Sequence, residues 1–178
     1  MVLAYGAAAH RNLGVPGEEV EGVHAARELV EWYNGHPHAT EASFDLAGCE
    51  TALIVGGGNV ALDCARMLTK SVDELARHDV TDYALAALSR SAVRQVVLLG
   101  RRGVLQAAFT IKELRDLTKL AGVACTPSSQ ISPLYLRCIS PASPLYRWRA
   151  PSRRPLTRST RRCWPPPRRI ALARAWST

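Results

Sequence analysis

Thr51-Ala52-Leu53-Ile54-Val55-Gly56-Gly57-Gly58-Asn59-Val60-Ala61 decides how this chain is read. A run of almost wholly apolar residues meets three glycines. Val60, Leu62, Ala65, Met67 and Leu68 then give an apolar helical face, so the stretch reads as a buried strand, a tight turn and a helix. Such a turn leaves the first N–H groups of the helix unpaired and sets the positive end of its dipole at one point, where a pyrophosphate can sit. Gly56 makes the tight turn, Gly58 lets the backbone approach a phosphate, and Ala61 fills the third small position of a G-x-G-x-x-A pattern. The competing reading is a strand-to-helix turn with no ligand.

A second strand follows. Gln95-Val96-Val97-Leu98-Leu99 ends in Gly100-Arg101-Arg102, the place where an acid would bond the ribose 2′-hydroxyl of NAD and where a 2′-phosphate calls for arginine. The double arginine therefore selects NADP, because guanidinium bonds phosphate oxygens in pairs and stays charged. Solvated loop charges are the competing reading of Arg101 and Arg102. The pair comes later than the roughly 20 residues the simple fingerprint expects. Ser71 to Ala92 explains the delay as an inserted helical piece. Further on, Thr110 and Glu113 have the spacing of a capping box, so Glu113 reads first as a helix-start residue and second as a contact to a nucleotide ribose.

The order of these motifs resembles the NADP-binding domain of the mitochondrial adrenodoxin (ferredoxin)–NADP reductases. The residues that carry the resemblance are Val2 to Ala7, Val15-Pro16-Gly17-Glu18, Trp32-Tyr33-Asn34-Gly35, Gly56 to Asp63, Gly100 to Gly103, and Leu105 to Arg115. It implies a flavoprotein that takes a hydride from NADPH onto FAD and passes electrons singly to a 2Fe–2S ferredoxin or adrenodoxin, in or beside the mitochondrial matrix. By the same resemblance Gly57, Gly58, Asn59 and Val60 hold the pyrophosphate side of NADP. Arg101 and Arg102 take the 2′-phosphate, Glu113 is a further nucleotide contact, and Asp63 lies toward the nicotinamide. No residue here is assigned a catalytic role. The expected fold is α/β, a Rossmann-like doubly wound parallel sheet with strands near 51–55 and 95–99 and helices near 24–33, 59–69, 82–91 and 111–119. Residues 1–22 read as an entry segment left from an FAD-binding domain, and 23–125 as the NADP-binding domain. FAD belongs to the full-length family and is not expected to be retained by this chain.

Composition changes at residue 126. Nine of the eleven prolines lie in 126–178, with eleven arginines and no lysine, aspartate or glutamate, so the net charge of +8 is a tail of +11 set against −3 elsewhere. Prolines interrupt helices and like charges repel, so the tail is expected to be disordered. Two alternatives stay open for the chain: a non-catalytic truncated or frameshifted product, or a binder of nucleic acid or anionic surfaces through the arginine-rich tail. The five cysteines are odd in number and lack C-x-x-C spacing, which argues against a disulfide frame or zinc site. His36 and His38 fall in a loop beside Pro37, and no metal is expected. No apolar run approaches the ~18 residues of a spanning helix, and neither a secretory signal nor a mitochondrial presequence is visible.

Overall fold

The computed structural model describes residues 2, 12–40, 42–101, 106–127, 135–139 and 169–173. Its centre is a six-stranded sheet in the order β1-β6-β2-β3-β5-β4. The strands are β1 Val23–Ala25, β2 Thr51–Val55, β3 Gln95–Leu99, β4 Ala124–Pro127, β5 Tyr135–Ile139 and β6 Arg169–Ala173. β1, β6, β2 and β3 run parallel, while β5 is antiparallel to both of its neighbours. Among the described residues the α-helices are α1 Ala26–Tyr33, α2 Asn59–Thr69, α3 Val72–Leu75, α4 Asp82–Ser89 and α5 Ile111–Thr118.

The elements follow from the residues. In β2, Ala52 and Ile54 are fully buried and alternate with partly exposed neighbours. Val96, Val97 and Leu98 of β3 are all buried, as expected of a strand covered on both faces. Ala26, Leu29, Trp32 and Tyr33 form the buried stripe of α1, and Ala61, Leu62, Ala65 and Leu68 that of α2. Each large aliphatic side chain taken fully from water contributes about 1.5–3 kcal/mol. α1 stops at Asn34 and Gly35. Gly35 sits at φ 78°, and a Cβ there would meet Thr81 Cγ2 at 2.9 Å, so the turn needs glycine on two counts. The Trp32 ring packs tilted against Phe44 at 5.1 Å, and the hydroxyl of Tyr83 donates to the Trp32 carbonyl at 2.8 Å, fastening α4 to the end of α1.

The parallel pairing of β2 with β3 and the four longer helices lie where the sequence puts them. The inserted stretch between α2 and β3 contains α3 and α4. Of the residues from 126 on, the end of β4, β5 and β6 are described, and β5 and β6 pair with β3, β4, β1 and β2. Tyr135-Leu136-Arg137-Cys138-Ile139 and Arg169-Ile170-Ala171-Leu172-Ala173 are short, proline-free and mostly apolar. That suits strands, which need only about five residues. β4 spans 124–127, on both sides of the boundary placed after 125, and pairs with β5. Of the entry segment read over 1–22, residues 1 and 3–11 lie outside the described residues. No helix of the described residues is long and apolar enough to cross a membrane.

Candidate functional site

Two parallel strands end side by side. Val55 of β2 pairs in register with Leu99 of β3, and the N–H of Gly56 donates to the Leu99 carbonyl at 2.9 Å, so Gly56 and Gly100 leave the sheet together. Gly56 has φ 148°, a backbone conformation that a side chain rarely tolerates. Gly58 is the N-cap of α2. Its backbone is extended, its carbonyl accepts from the N–H groups of Ala61 and Leu62 at 3.1 and 3.4 Å, and no side chain caps the helix. The opening N–H groups of α2 therefore point out of the turn for an acceptor from elsewhere. Ala61 is fully buried where a larger residue would push helix and strand apart.

The loop after β3 returns to this turn. The N–H of Ala108 donates to the Gly57 carbonyl at 2.9 Å, and the N–H of Thr110 donates to Asn59 Oδ1 at 2.8 Å. Asn59, the exposed first residue of α2, thus binds the N-cap of α5 and holds the two helix starts side by side. Thr110 Oγ1 accepts from the Glu113 N–H at 3.4 Å, giving one half of the capping box. The other half is replaced, because Asn59 has taken the Thr110 N–H and Glu113 turns elsewhere.

Glu113 Oε2 accepts from Arg66 Nη1 at 3.2 Å. Arg66 also pairs with Asp63, one turn back on α2, and Asp63 Oδ2 accepts from the Tyr33 hydroxyl at 2.6 Å. Tyr33, Asp63, Arg66 and Glu113 are thereby one chain of bonds from α1 through α2 to α5. Burial alone would ease the proton off Arg66, but the hydrogen bond and charge of Asp63, with Glu113 behind them, hold its pKa above the ordinary value. Burial, then the hydrogen bond to Asp63, push the Tyr33 phenol well up, so it remains a donor at any working pH. A groove of about 910 Å³ opens against this chain of bonds, with Tyr33, Asp63, Arg66, Lys70, Asp116 and Lys119 among its walls.

Gly56, Gly57, Gly58, Asn59 and Val60, named from the sequence, are together at the turn, and exposed Arg101 is one residue past Gly100 at the same end of the sheet. Arg102 lies outside the described residues. Glu113 is within the same assembly, its carboxylate on Arg66. Sequence reasoning missed the Asn59–Thr110 bond and the roles of Tyr33 and Arg66. The Asp63 to Arg66 spacing of three on a helix was a usable signal; contacts across 30 and 47 residues of chain were not. Among the described residues no three histidine, cysteine, aspartate or glutamate side chains gather as a metal site would require.

No family profile matches the chain. Over 122 residues, 68% of the chain, it is 55% identical to the mitochondrial NADPH:adrenodoxin oxidoreductase of Salvelinus fontinalis and 54% identical to that of Homo sapiens. Over these residues the chain belongs to the adrenodoxin reductase family. It is also 50% identical, over 123 residues, to the NADPH-ferredoxin reductase FprA of Mycobacterium tuberculosis. The solved structure of that FprA in complex with NADPH aligns with 67% of this chain at a TM-score of 0.64, again at 50% identity. The chain spans about a quarter of the length of these relatives, 24% of the Salvelinus fontinalis protein and 26% of the FprA chain in that structure. The α/β architecture is that of the adrenodoxin reductase family.

Proposed function

We propose that this chain is the NADPH-binding part of a flavoprotein reductase, which passes electrons from NADPH through FAD to a 2Fe–2S ferredoxin or adrenodoxin. The observation that carries the reading is the start of α2: a glycine N-cap with no side-chain acceptor, beside an arginine at the end of the neighbouring strand. The names of the relatives, an NADPH:adrenodoxin oxidoreductase and an NADPH-ferredoxin reductase, support the same chemistry. The mitochondrial relatives support a place in the matrix or on the matrix side of the inner membrane.

The residues present fit NADPH by their donor set. Gly57, Gly58, Asn59 and Val60 would offer backbone N–H groups and the positive helix end to the pyrophosphate. Arg101 and Arg102 would grip the 2′-phosphate with paired guanidinium bonds. Glu113, already held by Arg66, would stand as a further nucleotide contact. When bound, NADPH supplies a hydride. The chain's own contribution is to fix the dinucleotide against the ends of β2 and β3, with Asn59 keeping the α5 start in place beside it. No described residue is assigned to the flavin.

Calorimetric titration with NADPH and with NADH tests the reading. NADPH is expected to bind the tighter, and Arg101→Ala or Arg102→Ala to weaken it by about tenfold to a hundredfold, the worth of one lost charged hydrogen bond or two. NADH binding should be unmoved by either change. Equal affinity for the two nucleotides, or no binding of either, overturns the proposal.

A further inference from the structure

β4 and β5 place two cysteines directly opposite one another. Cys125 and Cys138 are register partners in this antiparallel pair, and their Sγ atoms lie 2.8 Å apart. Opposed residues in an antiparallel pair have Cα atoms about 4.5–5.5 Å apart, inside the roughly 4.4–6.8 Å that a disulfide spans. Backbone movement is therefore not needed to join them. Cys138 is fully buried beneath the sheet's cover, whereas Cys125 keeps part of its surface open to solvent.

We propose that Cys125 and Cys138 are an oxidisable dithiol site, which closes to a cross-strand cystine when the chain meets a peroxide. The two thiols have unequal parts. The hydrogen bond from Cys138 holds the Cys125 thiol below its ordinary pKa against the opposing effect of burial. The same bond, with burial behind it, pushes Cys138 well up. Cys125 is thus the accessible thiol and the one that ionises first, which makes it the attacking group. Its sulfur bonds one peroxide oxygen, the O–O bond breaks, and the leaving hydroxide takes a proton to become water. The Cys138 sulfur then displaces the sulfenic oxygen, which leaves as a second water carrying the Cys138 proton. Two thiols give up two protons and two electrons, and the peroxide accepts both.

The site is remote from the nucleotide end. Cys138 faces Val96, the second residue of β3, whereas Gly100 and Arg101 leave the other end of that strand. Closing the bond is expected to tie β4 to β5 without altering NADPH affinity.

The test treats the reduced full chain with hydrogen peroxide, then traps remaining thiols and maps peptides by mass spectrometry without reduction. Two of the five thiols should disappear, with a loss of about 2 Da, two hydrogens, and the Cys125 and Cys138 peptides should be linked. Cys125→Ser or Cys138→Ser should abolish the loss, whereas Cys49→Ser, Cys64→Ser and Cys163→Ser should leave it. Because the map is made on the unsubstituted chain, poor folding of the Cys138 variant does not blunt it. Peroxide-treated chain in which Cys125 and Cys138 are both still trapped as thiols overturns the proposal, as does Cys125 converted to sulfinic acid or linked to another cysteine.

Discussion

α2 and α5 start beside each other at one end of the sheet, yet their opening N–H groups are treated differently. Before α5 stands Thr110, whose hydroxyl accepts from the Glu113 N–H and whose own N–H is taken by Asn59. Before α2 stands Gly58, with nothing to offer as a cap. A helix start that is capped is a structural joint, and one left open keeps N–H groups for an acceptor from elsewhere. Their closeness explains the arrangement, because Asn59 spends its side chain on α5 and leaves the backbone of α2 free.

The largest expected effect removes the support for that closeness. Leu117 is the buried anchor of α5, which packs on α2, and Leu117→Ala should cost about 2–5 kcal/mol of stability in urea unfolding. NADPH affinity should fall with it as the helix starts separate. Next, Gly58→Ser gives α2 a cap of its own. It should change stability by only a few tenths of a kcal/mol while weakening NADPH by about tenfold or more in calorimetry, since a hydroxyl and a Cβ then occupy the phosphate's place. Unchanged affinity would erase the distinction between the two helices. Thr110→Ala makes the reverse test, with an expected loss of about 1 kcal/mol in thermal unfolding and NADPH affinity unchanged.

The smallest effect sets the pH at which these comparisons are made. Burial holds His24 below its ordinary pKa, with the Glu28 carboxylate 3.9 Å away only partly offsetting it. The unfolded chain therefore takes up this proton first, so stability present above about pH 6.5 is lost as the solution is acidified through the ordinary histidine value. A urea series from pH 8 to pH 5.5 should show the midpoint falling, and His24→Gln should flatten it. Measurements above pH 7 keep His24 out of the capping comparison.

What the sequence made legible was local. The alternation in Thr51 to Val55, the glycines after it and the apolar spacing of α2 each report a neighbour's environment within a few residues, and the strand, turn and helix stand where they point. Glu113 shows where that power stops. Its spacing from Thr110 described a capping box, but the partner its carboxylate takes, Arg66, lies 47 residues away. Asn59 is similar, because nothing in its neighbourhood announces a bond to a residue 51 positions on. The residues after 126 are read from composition averaged over the whole stretch, which does not locate strands as short as β5 and β6, five residues each.

β6 has a consequence in time as well as in space. β1 and β2 do not pair with each other, since Arg169–Ala173 stands between them in parallel register with both. A ribosome delivers the chain from its N-terminus, so the strand that joins residues 23–25 to residues 51–55 emerges long after the two it bridges. Until it arrives, one side of β2 is an open edge with its N–H and C=O groups unpaired, which is a template for another chain. The slow step of folding is expected to be that last insertion, because a parallel contact across so long a loop must meet its closure entropy before any hydrogen bond repays it.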